Sequence, residues 1–486
     1  MIIPKEVKSI LKILEQNNFE VFIVGGCVRD SLRNAEPKDW DIATNAKPEE
    51  IEKVLQKKGF KTVYENKFGT VTVVTKSEEQ SLREIEITPY RIDEQYTDKR
   101  HPDKIKWTNN IEQDLERRDF TVNALAMNLK KEIIDPFSGR KDLENKIIRA
   151  VKDPKKRFAE DSLRMMRAVR FAITLGFEIE EKTKKGIKEN AKDLKDVSQE
   201  RIREELIKII MSQDAAKGIE TLRRLGLLKN IIPEIEEGFN VAQNKHHVFQ
   251  IYEHNLLSLN YACENNFSFY VRMAALLHDV GKPRTKRGTG LNATFYNHEI
   301  VGANITNDIL QRLKFPKKDR EKIVKLVRLH LFYYNVDEVG ESSVRRLLKK
   351  AGKENITELM QLRYSDRIGS GVPKAEPYKL RHLKYLFEKV SKDPISAKMI
   401  EISGNDIMKQ LNIRSGPRVG HILSYLLSEI LKNPKQNNKS FLKEKVAELG
   451  KLDDNTLSKK AKEATKGVTN IIQKEDKMTK GKYWVS

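Results

Sequence analysis

A glycine pair, Gly25-Gly26, and an acidic pair, Asp39-Trp40-Asp41, are the residues of this chain best placed by type and spacing to do chemistry together. The glycines follow a short apolar run, Val21-Phe22-Ile23-Val24, which reads as a buried strand ending in a turn where backbone N–H groups can approach an anion. With Trp40 to Ala43 continuing as a strand, the two carboxylates stand one strand period apart and project from the same face. Carboxylates so placed can share hard divalent cations, and magnesium takes oxygen ligands from one or two carboxylates plus substrate phosphates. A glycine pair alone is a turn, and Asp-x-Asp alone is surface charge. Strand, glycines, short helix and acidic pair in that order point to phosphate transfer. Neither G-x-G-x-x-G nor a G-K-[ST] follows the strand, so dinucleotide-binding and P-loop readings are set aside.

A second group of candidates is basic. The segment from Lys152 to Ala172 opens with Asp153-Pro154, a cap and first helical residue, and then repeats arginine at three-residue intervals. Asp161, Arg164, Arg167 and Arg170 are expected on neighbouring rows of one helix surface. By itself this is a solvated charged face. A carboxylate can only accept and a guanidinium can only donate, so Asp161 and Arg164 together would complement a group that offers a donor beside an acceptor.

Three stretches carry a family resemblance: GGCVRD at Gly25 to Asp30, PKDWDIAT at Pro37 to Thr44, and RRDFTVNALA at Arg117 to Ala126. They resemble the bacterial and eukaryotic class of CCA-adding tRNA nucleotidyltransferases, which includes bacterial poly(A) polymerases. The resemblance covers nearly the whole chain. It implies that Asp39 and Asp41 hold two magnesium ions, that Gly25, Gly26 and Arg29 hold a triphosphate, and that Arg118 meets the nucleotide's ribose and phosphates. Glu160 to Arg164 match the family's EDxxR motif, which turns Asp161, Arg164, Arg167 and Arg170 from a charged face into nucleotide-binding candidates. Glu86 matches a third acidic position. A polar segment at Arg91 to Trp107, read as a loop, resembles one kept by members that add the terminal adenosine. Six of the nine histidines fall between His246 and His330. His254, His278-Asp279, His298, His330 and Asp366 follow the ligand order of the HD superfamily, whose imidazole and carboxylate donors suit Mn, Fe, Ni or Zn and phosphoester hydrolysis.

The elements that must position these residues are partly legible. Val7, Ile10, Leu11 and Leu14 recur at helical spacing; Pro48 to Lys57 reads as a helix; Val71 to Val74 and Glu84 to Ile87 alternate as strands. The expectation is an α+β protein: an α/β nucleotidyltransferase head over 1–145, a helical neck over 146–240, an HD domain over 241–372, and a helical tRNA-binding body and tail over 373–486. Gly416-Pro417 heads one of the tail's helices, and the Lys-rich end from Lys443 reads as weakly ordered.

Composition agrees with a polyanionic partner. Lys and Arg number 92 against 70 Asp and Glu, a net charge of +22 in 486 residues. The two cysteines, Cys27 and Cys263, have no paired spacing, which fits a reducing cytoplasm. No long uncharged run suggests a membrane span. The implied activity is extension of the 3′ end of tRNA with CTP and ATP. The rivals are an A-adding enzyme or poly(A) polymerase with the same head, and an HD phosphohydrolase whose head only binds nucleotides. A noncatalytic RNA-binding protein would have no use for Asp39 and Asp41.

Overall fold

The structure, a computed structural model, describes residues 3–64, 69–94, 104–243, 248–336, 338–391 and 400–485. They form two compact units, one of residues 1–330 and 361–373, the other of 331–360 and 374–486. The fold is α+β, with the main sheet at the N-terminal end and helices beyond it.

The sheet has seven strands: β1 Val21–Val24, β2 Asp41–Thr44, β3 Lys61–Tyr64, β4 Val71–Val74, β5 Glu84–Pro89, and two short strands, Ala126–Met127 and Ile133–Ile134, beside β1. β1 and β2 run antiparallel with Val24 opposite Asp41, whereas β2 and β5 run parallel with Asp41 beside Glu86. Register therefore brings the glycine turn after Val24, the carboxylate of Asp41 and that of Glu86 to one end of three adjacent strands. The strands' period of two divides their faces. Ile23, Ile42, Ile85 and Ile87 pack under helices α1 (Lys5–Gln16) and α3 (Pro48–Gln56) through Leu11, Leu14, Ile51 and Leu55. Trp40 joins that core, while Ala43 packs with Phe22 and Val24 on the other face. Asp41 shares Ala43's face. α2 (Gly26–Leu32) begins at the turn itself.

Three expectations need correction. The segment Arg91 to Trp107 is not simply a loop: Arg91–Glu94 and Lys104–Trp107 pair as an antiparallel ribbon, with Ile92 opposite Lys106 and Glu94 opposite Lys104. Apolar and charged residues alternate through Lys104-Ile105-Lys106-Trp107, which suits a paired strand better than the turn-forming residues before it suggest. Residues 95–103 of that segment lie outside the described residues.

The arginine-rich segment is not one helix. α4 (Gln80–Arg83), α5 (Ile111–Glu116) and α6 (Gly139–Glu144) precede it; then α7 spans Pro154–Glu160 and α8 spans Arg164–Leu175. Between them Asp161 is extended, with φ −142° and ψ 102°. Its carboxylate accepts from the Leu163 N–H at 3.1 Å, an alternative to continued helix that short acidic side chains offer.

The Lys-rich end is helical. Lys439–Gly450 and the thirty-residue Asp454–Tyr483 belong to the second unit, where Leu442, Val446, Leu449 and Leu457 are buried in one core with Ile407, Ile422 and Leu426. Burial of this apolar stripe supplies the stability that Lys-rich composition lacks. Among the described residues no helix is long and apolar enough to cross a membrane.

Candidate active site

A cleft of about 1220 Å³ in the first unit is lined by Gly25, Gly26, Arg29, Asp39, Asp41, Arg118, Asp161, Arg164, Arg167 and Arg170. All the head and neck residues expected from sequence as catalytic or nucleotide-binding thus face one space. The glycine turn is forced by its neighbours. Gly25 has φ +80°, and a Cβ there would sit 2.8 Å from Arg118 Nη1 and 3.7 Å from Asp41 Oδ2. The positive φ favours glycine, and a Cβ here would push the Arg118 guanidinium aside.

Asp39 is exposed and Asp41 partly buried. Burial pushes the Asp41 carboxyl up to about 6; Arg118 opposes the shift, and the charges of Asp39 and Glu86 add to it. A site that crowds carboxylates in this way has hard oxygen donors and an excess of negative charge, which a divalent cation would relieve. Glu86 does not line the cleft, but its place beside Asp41 and its charge make it part of the same acidic group.

A hydrogen-bonded chain runs from the turn to α8. Arg29 Nη1 donates to Asn123 Oδ1 at 2.6 Å, Asn123 Nδ2 donates to Asp119 Oδ1 at 3.0 Å, and Arg167 Nε donates to Asp119 Oδ2 at 2.8 Å. Burial alone would raise the Asp119 carboxyl, yet Arg167 and Asn123 hold it down at about 2. Asp114, fully buried in α5, anchors Arg117 at 2.8 Å and Arg118 at 3.4 Å.

Asp161 and Arg164 both reach the cleft, although they do not share a helix. Arg201 of a neck helix, Gln199–Ile210, donates through Nη1 and Nη2 to the two oxygens of Asp161 at 3.2 and 2.9 Å. Arg164 Nη1 donates to Glu160 Oε2 at 2.9 Å and to the Arg157 carbonyl at 3.2 Å, and Nη2 to the Arg117 carbonyl at 2.9 Å. Arg170 Nε donates to Glu205 Oε2 at 2.6 Å. Arg201, Asp119 and Asn123 were not singled out from sequence. Asp119 and Asn123 stand inside RRDFTVNALA and could have been, but nothing in SQERIREEL separates Arg201 from an ordinary charged helix.

The histidine cluster also closes, elsewhere in the first unit. His254 comes from the first turn of helix Ile251–Glu264, His278 and Asp279 from the end of Phe269–Leu277, and His298 from the start of His298–Arg312. His330 ends Lys317–Leu329, and Asp366 lies in Ile356–Gly369. His254 Nε2 lies 2.9 Å from His278 Nε2, 3.2 Å from Asp279 Oδ2 and 3.4 Å from Asp366 Oδ1. The other oxygen of Asp279 faces His298 Nε2 at 3.5 Å and His330 Nε2 at 3.7 Å. The six residues therefore fall into two ligand groups, His254–His278–Asp366 and Asp279–His298–His330, with Asp279 reaching both. His278, His298 and His330 each donate Nδ1–H to the carbonyl three residues back, at 2.9, 2.7 and 2.6 Å, which leaves Nε2 as the inward ligand.

Burial disfavours a charged His254, but Asp279 and Asp366 outweigh it and raise the imidazole to about 9. Burial would raise Asp279 as well, yet Lys282 and His278 hold it far below the usual carboxylate range. Lys282, not anticipated from sequence, forms an ion pair with Asp279 Oδ2 at 2.6 Å and donates to Gln243 Oε1 at 2.7 Å. Four imidazoles and two carboxylates form a donor set suited to a divalent transition metal.

Comparison with known proteins agrees with this geometry. Residues 21–149 match the family described as "Poly A polymerase head domain", 176–239 match "Probable RNA and SrmB- binding site of polymerase A", and 251–370 match "HD domain". The chain is 31% identical over 450 residues to a CCA-adding enzyme of Limosilactobacillus reuteri, covering 91% of this chain and 96% of that one. It is 35% identical over 333 residues to an A-adding tRNA nucleotidyltransferase of Deinococcus radiodurans, covering 65% and 74%. Among solved structures, the Bacillus stearothermophilus CCA-adding enzyme in complex with CTP superposes with a TM-score of 0.60 at 26% identity, covering 92% of this chain and 98% of that one.

Proposed function

The chain belongs to the tRNA nucleotidyltransferase family that contains the CCA-adding enzymes, and from this premise we propose that it adds C, C and A to the 3′ end of tRNA from CTP and ATP, with no nucleic-acid template. The observation that carries the reading is the single cleft into which the glycine turn, the carboxylate pair and the Asp161–Arg164 pair all open.

In the proposed reaction the backbone at Gly25 and Gly26, with Arg29 and Arg118, holds the triphosphate. Asp39 and Asp41 would hold two magnesium ions, which when bound activate the RNA's terminal hydroxyl and neutralise charge on the departing pyrophosphate. Divalent-metal use follows from the family; magnesium in particular is our inference from the all-oxygen donor set. Arg167 and Arg170 extend the positive wall of the cleft.

Base choice falls to Asp161 and Arg164. Counting the bonds described above, Asp161 Oδ1 accepts from Arg201 and Leu163, whereas Oδ2 accepts only from Arg201 and keeps one acceptor position. Arg164 Nη1 has both hydrogens engaged, while Nε–H and one Nη2–H remain. An acceptor on Asp161 and donors on Arg164, two residues that line one cleft, suit the amine and ring nitrogen of cytosine or adenine. Mismatched uracil or guanine would leave polar groups unpaired at about 1–3 kcal/mol each.

We also propose a cytoplasmic location, supported by two buried free cysteines and the tRNA substrate, and the four-part division at 145, 240 and 372, with the body and tail contacting tRNA. The test is extension of a tRNA that ends before its CCA, with CTP, ATP and magnesium. The wild-type chain should add three nucleotides, and Asp39→Ala or Asp41→Ala should add none while still binding tRNA. Near-normal addition by either variant would overturn the assignment.

The histidine cluster favours a second activity. Its donor set suits Mn, Fe, Ni or Zn and hydrolysis of a phosphoester such as a 2′,3′-cyclic phosphate at an RNA end. Asp279→Ala should abolish copurifying metal and hydrolysis yet leave CCA addition intact; absence of both metal and hydrolysis in the wild type would make the cluster a scaffold.

A further inference from the structure

Phe171 of α8 lines the cleft, although only 8% of its surface is exposed. The guanidinium carbons of Arg170, Arg29 and Arg167 lie 4.0, 5.3 and 5.4 Å from its ring centroid. All fall inside the roughly 6 Å range of a cation–π contact. Phe120, fully buried, meets the same ring edge-to-face, with centroids 5.8 Å apart and planes at 78°. The ring plane is thus set from within the protein, while the cations gather on the cleft side. They come from two elements, Arg29 from α2 and the other two from α8, and each is also held by a polar partner: Asn123 and Asp30, Asp119, and Glu205. Asn123 and Asp119 link Arg29 to Arg167 in one hydrogen-bonded chain, whereas Arg170 is held by Glu205, and the ring is what all three guanidiniums touch.

Cations gathered this closely repel one another, and the repulsion is stronger in a protein-walled cleft than in bulk water. The negative face of an aromatic ring offsets part of it, whereas an aliphatic side chain of similar volume would only fill the space.

We propose that Phe171 is a positioning residue for nucleotide binding: its ring holds Arg29, Arg167 and Arg170 together as the preorganised basic wall that receives the nucleotide. The inference rests on the nucleotidyl-transfer reading above. Without the ring's charge distribution, the arginines relax toward solvent and toward their separate acidic partners, and the incoming nucleotide must reassemble them. The loss then falls on binding rather than on the chemistry at Asp39 and Asp41, so KM moves and kcat does not.

The test uses the full-length protein with 3,4,5-trifluorophenylalanine at position 171, which withdraws electron density from the ring face while nearly keeping its shape, together with Phe171→Leu and Phe171→Tyr. Steady-state CTP addition to a tRNA ending before its CCA is read alongside thermal melting. KM for CTP should rise roughly tenfold in Phe171→Leu and by an intermediate factor in the fluorinated protein, with kcat within about threefold and KM restored in Phe171→Tyr. A fluorinated protein with wild-type KM overturns the inference, whether Phe171→Leu is unchanged or merely melts lower, because the ring then acts only by packing. A wild-type chain that adds no nucleotide overturns the underlying reading and this inference with it.

Discussion

Replacing Arg201 should damage the choice of base more than the rate of addition. Arg201 touches Asp161 through two charge-assisted bonds, at 2.9 and 3.2 Å, with the two side chains 20% and 14% exposed. It fixes the direction in which the remaining acceptor position of Asp161 points. Bonds to charged groups contribute about 1.5–3 kcal/mol when buried, and partial exposure brings the pair to about 1.5–2 kcal/mol. If that energy is what orients Asp161, its loss in Arg201→Ala lowers CTP-over-UTP and ATP-over-GTP preference by roughly ten- to thirtyfold. Arg201→Lys keeps the charge but not the two-pronged geometry, and should fall between. The assay is single-turnover incorporation with each of the four nucleotides offered alone to tRNA ending at successive positions of CCA. Melting curves separate a selectivity effect from unfolding. Wild-type discrimination in Arg201→Ala, with only a lowered melting temperature, would show that Asp161 does not depend on Arg201 for its orientation and would refute the reasoning.

Two further outcomes follow from the cleft. Gly25→Ala combines a left-handed backbone with a Cβ 2.8 Å from Arg118 Nη1, so addition should fall by at least about a hundredfold; an active Gly25→Ala would mean that the turn does not approach the nucleotide. The folded-state pKa of Asp119 is about 2 against an ordinary 3.8, so its contribution to stability, about 2 kcal/mol, is present above pH 4 and disappears as pH falls toward 2. Asp119→Asn should flatten that acid limb in a denaturation series between pH 2 and 5, and an unchanged limb would exclude Asp119 as its source.

The head was readable because its signals are local. Val21 to Val24 and the Val7, Ile10, Leu11, Leu14 stripe are short-period patterns whose burial follows directly; the second strand, expected from Trp40, begins at Asp41, so Asp39 precedes it and joins Asp41 at the cleft rather than by strand parity. The break at Asp161 was only partly readable. Asp161 and Ser162 favour caps over helix interiors, but with no glycine or proline beside them it is the side-chain bond to the Leu163 N–H that locates the interruption. The helical tail was hidden for another reason: Leu457, Ala461 and Ala464 are sparse among lysines and stabilise a helix only once a core is present to bury them. The histidine ligands are spread from 254 to 366, and only family resemblance ordered them in advance. Their common orienting device, a carbonyl three residues back, became visible in the folded chain. Arg201 shares that limit, since its partner Asp161 is far away in sequence, whereas Lys282 stands only three residues after Asp279.

The most direct test of the account is to sequence the 3′ ends of tRNA molecules, initially ending before CCA, after incubation with the wild-type chain and either CTP alone, ATP alone or both. CTP alone should yield ends extended by CC, ATP alone should leave the starting end unextended, and the two together should yield CCA and then stop. Addition of A only, to tRNA that already ends in CC, or a growing run of A, would contradict the claim that this one cleft selects and adds all three nucleotides.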